Sequence, residues 1–106
     1  MSVHETSDAT FEQDTATGVA LIDFWATWCW CGPCRMQSPV VEALDQEMGE
    51  QVGFHKLDVD ANPNVAEQFQ IMSIPTLMIT KDGQVVDQLI GYHSKEQVAQ
   101  LLKQYL

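Results

Sequence analysis

Basic residues are scarce in this 106-residue chain: five Lys and Arg stand against fifteen Asp and Glu, a formal net charge of -10 at pH 7. Binding phosphates of a nucleic acid or an anionic membrane takes clustered Lys and Arg. Neither partner is expected, and the acidic residues read as a solvated surface that aids solubility. No apolar run approaches the roughly 20 residues that cross a bilayer, which excludes a membrane-spanning helix. Residues 1–12 are polar and acidic and lack the basic-then-apolar order of a secretory signal, so a cytoplasmic location is expected. Cysteine is limited to three, too few and odd in number for a disulfide framework, which turns attention to catalytic or metal-binding thiols. No internal repeat, linker or low-complexity segment interrupts the chain, and its length supports one buried core but not two. A single domain over 1–106 is expected.

What is present is concentrated. All three cysteines fall within Trp28-Cys29-Trp30-Cys31-Gly32-Pro33-Cys34. A structural cysteine packs as a small hydrophobe and needs no thiol neighbour, whereas thiols separated by a Gly-Pro step can close a small ring reversibly. The pattern points to redox chemistry.

Around that segment the elements alternate. Residues 3–6 read as a short edge strand, and Ser7-Asp8 as the cap and acidic first turn of a helix over 7–14. Residues 19–26 form a nearly unbroken apolar run, as in a strand buried on both faces. Asp23 is the exception in it: a carboxylate there is expected to have a raised pKa and to exchange a proton near neutrality, or else to be a strand-end aspartate tolerated by a cavity or a buried partner. Met36, Val40, Val41, Leu44 and Met48 recur at helical spacing and define the apolar side of a long helix. Pro33 suits its first turn, Gly49 its end, and Pro39 predicts a kink near Arg35. A strand over 52–59 carries Lys56 among apolar neighbours, and Asn62-Pro63 caps and starts a short helix with Val65 and Phe69 on one face. Strands over 76–80 and 84–90 are joined through Asp82-Gly83, a hairpin signal. Ser94 and Gln97 make a capping box for a last helix whose apolar face is Val98, Leu101, Leu102 and Tyr105. The order predicts an α/β fold: a central mixed sheet of about five strands flanked by about four helices.

Asp23-Phe24-Trp25-Ala26, Cys31-Gly32-Pro33-Cys34, Lys56, Ile74-Pro75-Thr76 and Gly91 stand in the order found in thioredoxins. The chain resembles that family over essentially its whole length. The resemblance implies the thioredoxin fold and reduction of disulfides in cytoplasmic proteins, with no cofactor required and a thioredoxin reductase to supply electrons; a monomer is expected. Cys31, just ahead of the long helix where free N–H groups and the dipole favour a thiolate, is expected to be the nucleophile. Cys34, one turn in, is expected to resolve the mixed disulfide and leave a Cys31–Cys34 bond. The resemblance assigns Asp23 as the base for Cys34 and Lys56 as the charge that tunes Asp23. It also implies a cis Ile74–Pro75 bond whose backbone pairs with an extended substrate strand. Trp30, Gly32, Pro33, Gly91 and Tyr92 are expected to surround that contact. Trp25 reads as packing and loop support, and for Trp28 that reading and a functional one both stay open.

Cys29 departs from the family pattern. Counted forward from Asp23 the nucleophile position falls on Cys29, whereas counted back from Cys34 it falls on Cys31, so the segment is two residues too long. Cys29 is either a bystander in a tolerated insertion or a third redox partner for Cys31 or Cys34. A second class of function stays open: Cys29, Cys31 and Cys34 also suit a soft metal or an iron-sulfur cluster, which would need a non-protein ligand or a second chain in a bridged dimer. A disulfide oxidant or isomerase is a third reading. His4, His55 and His93 lack ligand spacing, so no metal is expected on them.

Overall fold

The computed structural model describes residues 3–29 and 32–106. The elements run β1 (His4–Glu5), α1 (Phe11–Asp14), β2 (Val19–Trp25), a 3-10 turn (Thr27–Cys29), α2 (Pro33–Met48), β3 (Val52–Asp58), α3 (Pro63–Gln68), β4 (Thr76–Lys81), β5 (Gln84–Ile90) and α4 (Lys95–Lys103). Five strands form one sheet in the order β1-β3-β2-β4-β5. β3 pairs in parallel with β1 and β2, and β4 pairs antiparallel with β2 and β5. The parallel pairs need helical crossovers, whereas the antiparallel β4–β5 pair needs only the turn at Asp82-Gly83, whose φ values of 51 and 83 are both positive and fit the hairpin turn that matches strand twist.

Alternation along β2 sorts the core into two layers. Val19 and Leu21 join Phe54, Leu77 and Ile79 under Val41, Leu44 and Met48 of α2 and Val98 and Leu102 of α4. Ala20, Ile22 and Phe24 join Leu57 and Met78 under Phe11 of α1 and Val65 of α3. The helices thus cover both faces, and burial on both sides explains why β2 carries so few polar residues. Because side chains alternate, Asp23 and its register partner Lys56 continue the α2 face, whereas His55 belongs to the α1 face.

Several expectations are corrected. The first helix is one short turn, Phe11–Asp14, because Ser7 turns the chain ahead of it by accepting from the Thr10 and Phe11 amides. Met36 is 62% exposed, and the buried stripe of α2 instead takes in Cys34 and Gln37. Asn62 stands at the N-cap of α3 without a capping side-chain bond; Asp8 supplies it, accepting from the Asn64 and Val65 amides at 3.1 and 2.9 Å. The expected Pro33 start, Gly49 end and Ser94–Gln97 capping box are all present.

Candidate active site

β2 leaves the sheet at Trp25, and a single 3-10 turn carries the chain to the N-terminus of α2. The turn is held by the Cys29 amide donating to the Ala26 carbonyl at 3.1 Å, and the Gly32 amide then donates to the Cys29 carbonyl at 3.0 Å. Gly32 is the N-cap of α2 and Pro33 its first residue, where a missing N–H costs nothing. This geometry brings the Cα atoms of Cys29 and Cys34 to 5.6 Å, and the two form a disulfide. Cystine bridges span Cα separations of about 4.4–6.8 Å, and this pair falls within that range. The expected Cys31–Cys34 bond is therefore replaced by Cys29–Cys34. The forward count from Asp23 locates the partner of Cys34, because β2 and its exit turn set where Cys29 stands. Trp30 and Cys31 lie outside the described residues.

Both bonded cysteines are buried, Cys34 at 1% and Cys29 at 7% exposure. Cys29 Sγ lies 4.0 Å from the Ile74 carbonyl oxygen, and the Ile74–Pro75 peptide is cis. The Gly91 amide donates to the Pro75 carbonyl at 2.9 Å, which fixes the end of β5 beside that loop. Exposed apolar surface includes Trp28, at 67%, and the half-exposed Tyr92 next to Gly91. Gln37, wholly buried one turn along α2 from Cys34, donates from Nε2 to the His93 carbonyl at 3.0 Å and accepts from the His93 amide at 2.9 Å. Nothing in the sequence singled out Gln37 except its helical spacing from Cys34 and Val41.

Asp23 is buried at 5% exposure, with Oδ1 lacking a hydrogen-bond partner among the described residues. Burial pushes its carboxyl up to about 7, against the attraction of the Lys56 ammonium, which pulls it down. The raised value, one of the two readings the sequence leaves open, is thus present, and its cause is loss of hydration. Lys56 is only half-buried, and its Nζ lies 6.0 Å from the centroid of Trp25. Asp23, Trp25, Thr27, Ser38 and Lys56 line a cleft of about 450 Å3. Ser38 is one helical turn from Cys34 on the same side of α2, so Cys34 and the cleft beside Asp23 share one face of that helix. Neither Thr27 nor Ser38 was marked by sequence reasoning.

The thioredoxin family profile matches residues 2–104. The chain belongs to the thioredoxin family. It is 52% identical over 104 residues to a thioredoxin of Listeria monocytogenes, covering 98% of this chain and 99% of the relative. It is 45% identical over 106 residues to a thioredoxin of Bacillus subtilis, covering all of both. Among solved structures, that of Malassezia sympodialis thioredoxin, Mala s 13, superposes with a TM-score of 0.85 at 38% identity, covering 98% of this chain and 90% of the other. The mixed five-stranded sheet is the thioredoxin fold. With its paired cysteines, this family member is a thiol-disulfide oxidoreductase of the protein-disulfide reductase type. The iron-sulfur and soft-metal reading is not favoured, because the Cys29–Cys34 bond takes two of the three sulfurs it needs.

Proposed function

We propose that this thioredoxin reduces disulfides of cytoplasmic proteins through Cys29 and Cys34, acting as a single domain and without a cofactor, and is recharged by a thioredoxin reductase. The observation that carries the reading is the Cys29–Cys34 bond at the exit of β2, with Cys29 Sγ beside the cis-Pro loop. An extended substrate segment added along the backbone of Ile74 brings its own disulfide next to Cys29. In the reduced form the Cys29 thiolate attacks one substrate sulfur, and the other leaves as a thiolate. The Cys34 thiolate then attacks Cys29 Sγ, the second substrate sulfur leaves, and the bond seen here is restored. Two electrons and two protons pass to the substrate. Two electrons from the reductase reopen the bond.

Cys34 must lose its proton to act, and we assign Asp23 as the acceptor. A carboxyl with a pKa of about 7 exchanges protons efficiently at neutral pH. The half-buried Lys56 holds Asp23 from rising further. Gly32, Pro33, Gly91 and Tyr92 flank the docking edge, and Trp30 and Cys31 complete the loop in sequence. Cys31 takes the role of a third thiol able to exchange with the pair.

Single Cys→Ser variants test this reading in a coupled assay with a thioredoxin reductase and a protein disulfide. Cys29→Ser and Cys34→Ser are expected to abolish turnover, and Cys31→Ser to retain most of it. Turnover that survives Cys29→Ser but not Cys31→Ser would move the nucleophile to Cys31.

A further inference from the structure

The three histidines show no ligand spacing along the chain, yet strand pairing brings two of them together. His4 on β1 and His55 on β3 are register partners, and their rings meet edge to face with centroids 5.4 Å apart. Asp14, at the end of α1, completes the group: its Oδ2 lies 3.3 Å from His4 Nε2. One ligand atom from each of His4, Asp14 and His55 lies within 4.8 Å of the others. This cluster is on the α1 face of the sheet, whereas Asp23 and Lys56 are on the α2 face.

We propose that His4, Asp14 and His55 form a binding site for a divalent transition-metal ion of the zinc class, which clamps the edge strand β1 and the end of α1 onto β3. Two imidazoles and a carboxylate are a donor set that suits zinc and its neighbours and does not suit calcium or magnesium. An independent observation points the same way. His55 is more than nine-tenths buried, and its Nδ1 has no hydrogen-bond partner among the described residues. Such an atom normally finds a donor, an acceptor or an ion.

The second layer is also in place. Thr6, itself buried, donates from Oγ1 to Asp14 Oδ2 at 2.7 Å and so orients the carboxylate. Ligand atoms about a tetrahedral zinc stand about 3.4 Å apart, given bonds of about 2.1 Å. Because the His4 side chain is 57% exposed, it can turn toward an ion without disturbing the core. Three protein ligands leave a fourth position for water, so the site resembles an open centre more than a closed structural one.

The test uses the full chain in its disulfide form with the remaining thiol alkylated, so that no thiolate competes for metal. Zinc is titrated by calorimetry, cobalt by its visible absorption, and thermal unfolding is followed with and without zinc. The expected result is one zinc per chain and a zinc-dependent rise in Tm. His4→Gln and Asp14→Asn each lose about tenfold or more in affinity and lose the Tm response. Glu12→Gln, which removes an exposed acidic charge on α1, binds as the parent does. Neither His4 nor Asp14 belongs to the cysteine site, so disulfide reduction by the metal-free variants stays at the parent level. Absence of binding overturns the proposal. So does loss with His4→Gln alone, which indicates a site built on His4 and its own backbone, or equal loss with Glu12→Gln, which indicates general attraction to an acidic surface.

Discussion

Asp23 and Lys56 face one another as register partners of β2 and β3, on the side of the sheet that α2 covers. The lysine offsets only part of what burial does to the aspartate, and the carboxyl rests at about 7. An ion pair at the surface would have dropped the pKa, and an isolated buried carboxyl would have risen further. The pair therefore keeps a titrating group at neutral pH inside the sheet, next to the helix that carries Cys34.

That compromise has a cost in stability that depends on pH. Between about pH 4 and pH 7 the native state holds a proton on Asp23 that the unfolded chain has already released, so the stability of the fold declines as pH rises through this window. The interval from the ordinary carboxyl value of 3.8 to about 7 corresponds to roughly 4 kcal/mol, present in full above the native pKa. Asp23→Asn removes the charge without removing the shape. Urea unfolding at pH 5 and pH 8 is expected to show the variant gaining on the parent by a few kcal/mol at the higher pH. An equal difference at both pH values would mean that Asp23 titrates alike in the native and unfolded chain.

Lys56→Met tests the other half of the pair. Without the ammonium the Asp23 carboxyl is expected to titrate above 7, because burial then acts unopposed. A carbon-13 NMR titration of the carboxyl reads this directly. The pH dependence of mixed-disulfide resolution should move upward by the same amount. A midpoint that stays in place would show that the charge of Lys56 is screened by water in the cleft and does not tune Asp23.

The Asp8 contact makes a different kind of prediction. Its carboxylate accepts from two amides at the start of α3, and its own amide donates to Asn62 Oδ1 at 3.0 Å. This reciprocal arrangement joins the turn before α1 to the α3 N-terminus. Asp8→Ala is expected to cost about 1 kcal/mol, in the range of lost helix caps, and to lower Tm by roughly 4 °C. Disulfide reduction stays intact, since neither α1 nor α3 carries a residue of the cysteine site. A Tm equal to that of the parent would show that water replaces the carboxylate without loss.

These residues also mark where sequence reading works and where it stops. The buried β2 run, the Asp82-Gly83 turn and the Ser94 capping box depend on neighbours in sequence, and each was legible from period and turn chemistry. The raised pKa of Asp23 was legible too, because an eight-residue apolar run leaves a carboxylate little access to water. Asp8 was misread because its partners are more than 50 residues away, and a cap supplied across the fold looks locally like any acidic turn residue. Helical spacing to Val40, Leu44 and Met48 places Met36 on the apolar side, yet the stripe that faces inward passes through Gln37, since the helix phase is set by Cys34, Val41 and Leu44. The cysteine pairing was ambiguous in sequence because counts from the strand and from the helix disagree by two residues. Only the path of the exit turn decides between them, and it brings Cys29 to Cys34.

Gln37 offers the sharpest test of how α2 supports the docking edge. Its amide reaches across to the His93 backbone and satisfies both the carbonyl and the N–H of that residue, two positions beyond the Gly91 amide that is bonded to Pro75. Leu is close to Gln in volume, so Gln37→Leu should leave α2 packed while it strips two main-chain groups of their partners. Because His93 is partly exposed, water recovers part of the loss, and a cost of about 2 kcal/mol is expected. The functional signature should be selective. With the stretch from Gly91 to His93 loosened, an extended protein substrate loses a firm edge and its KM rises severalfold. A small disulfide that needs no docking strand should be reduced at the parent rate. Equal impairment of both substrates would instead place the effect of Gln37 on Cys34 itself, through the helix turn that the two residues share.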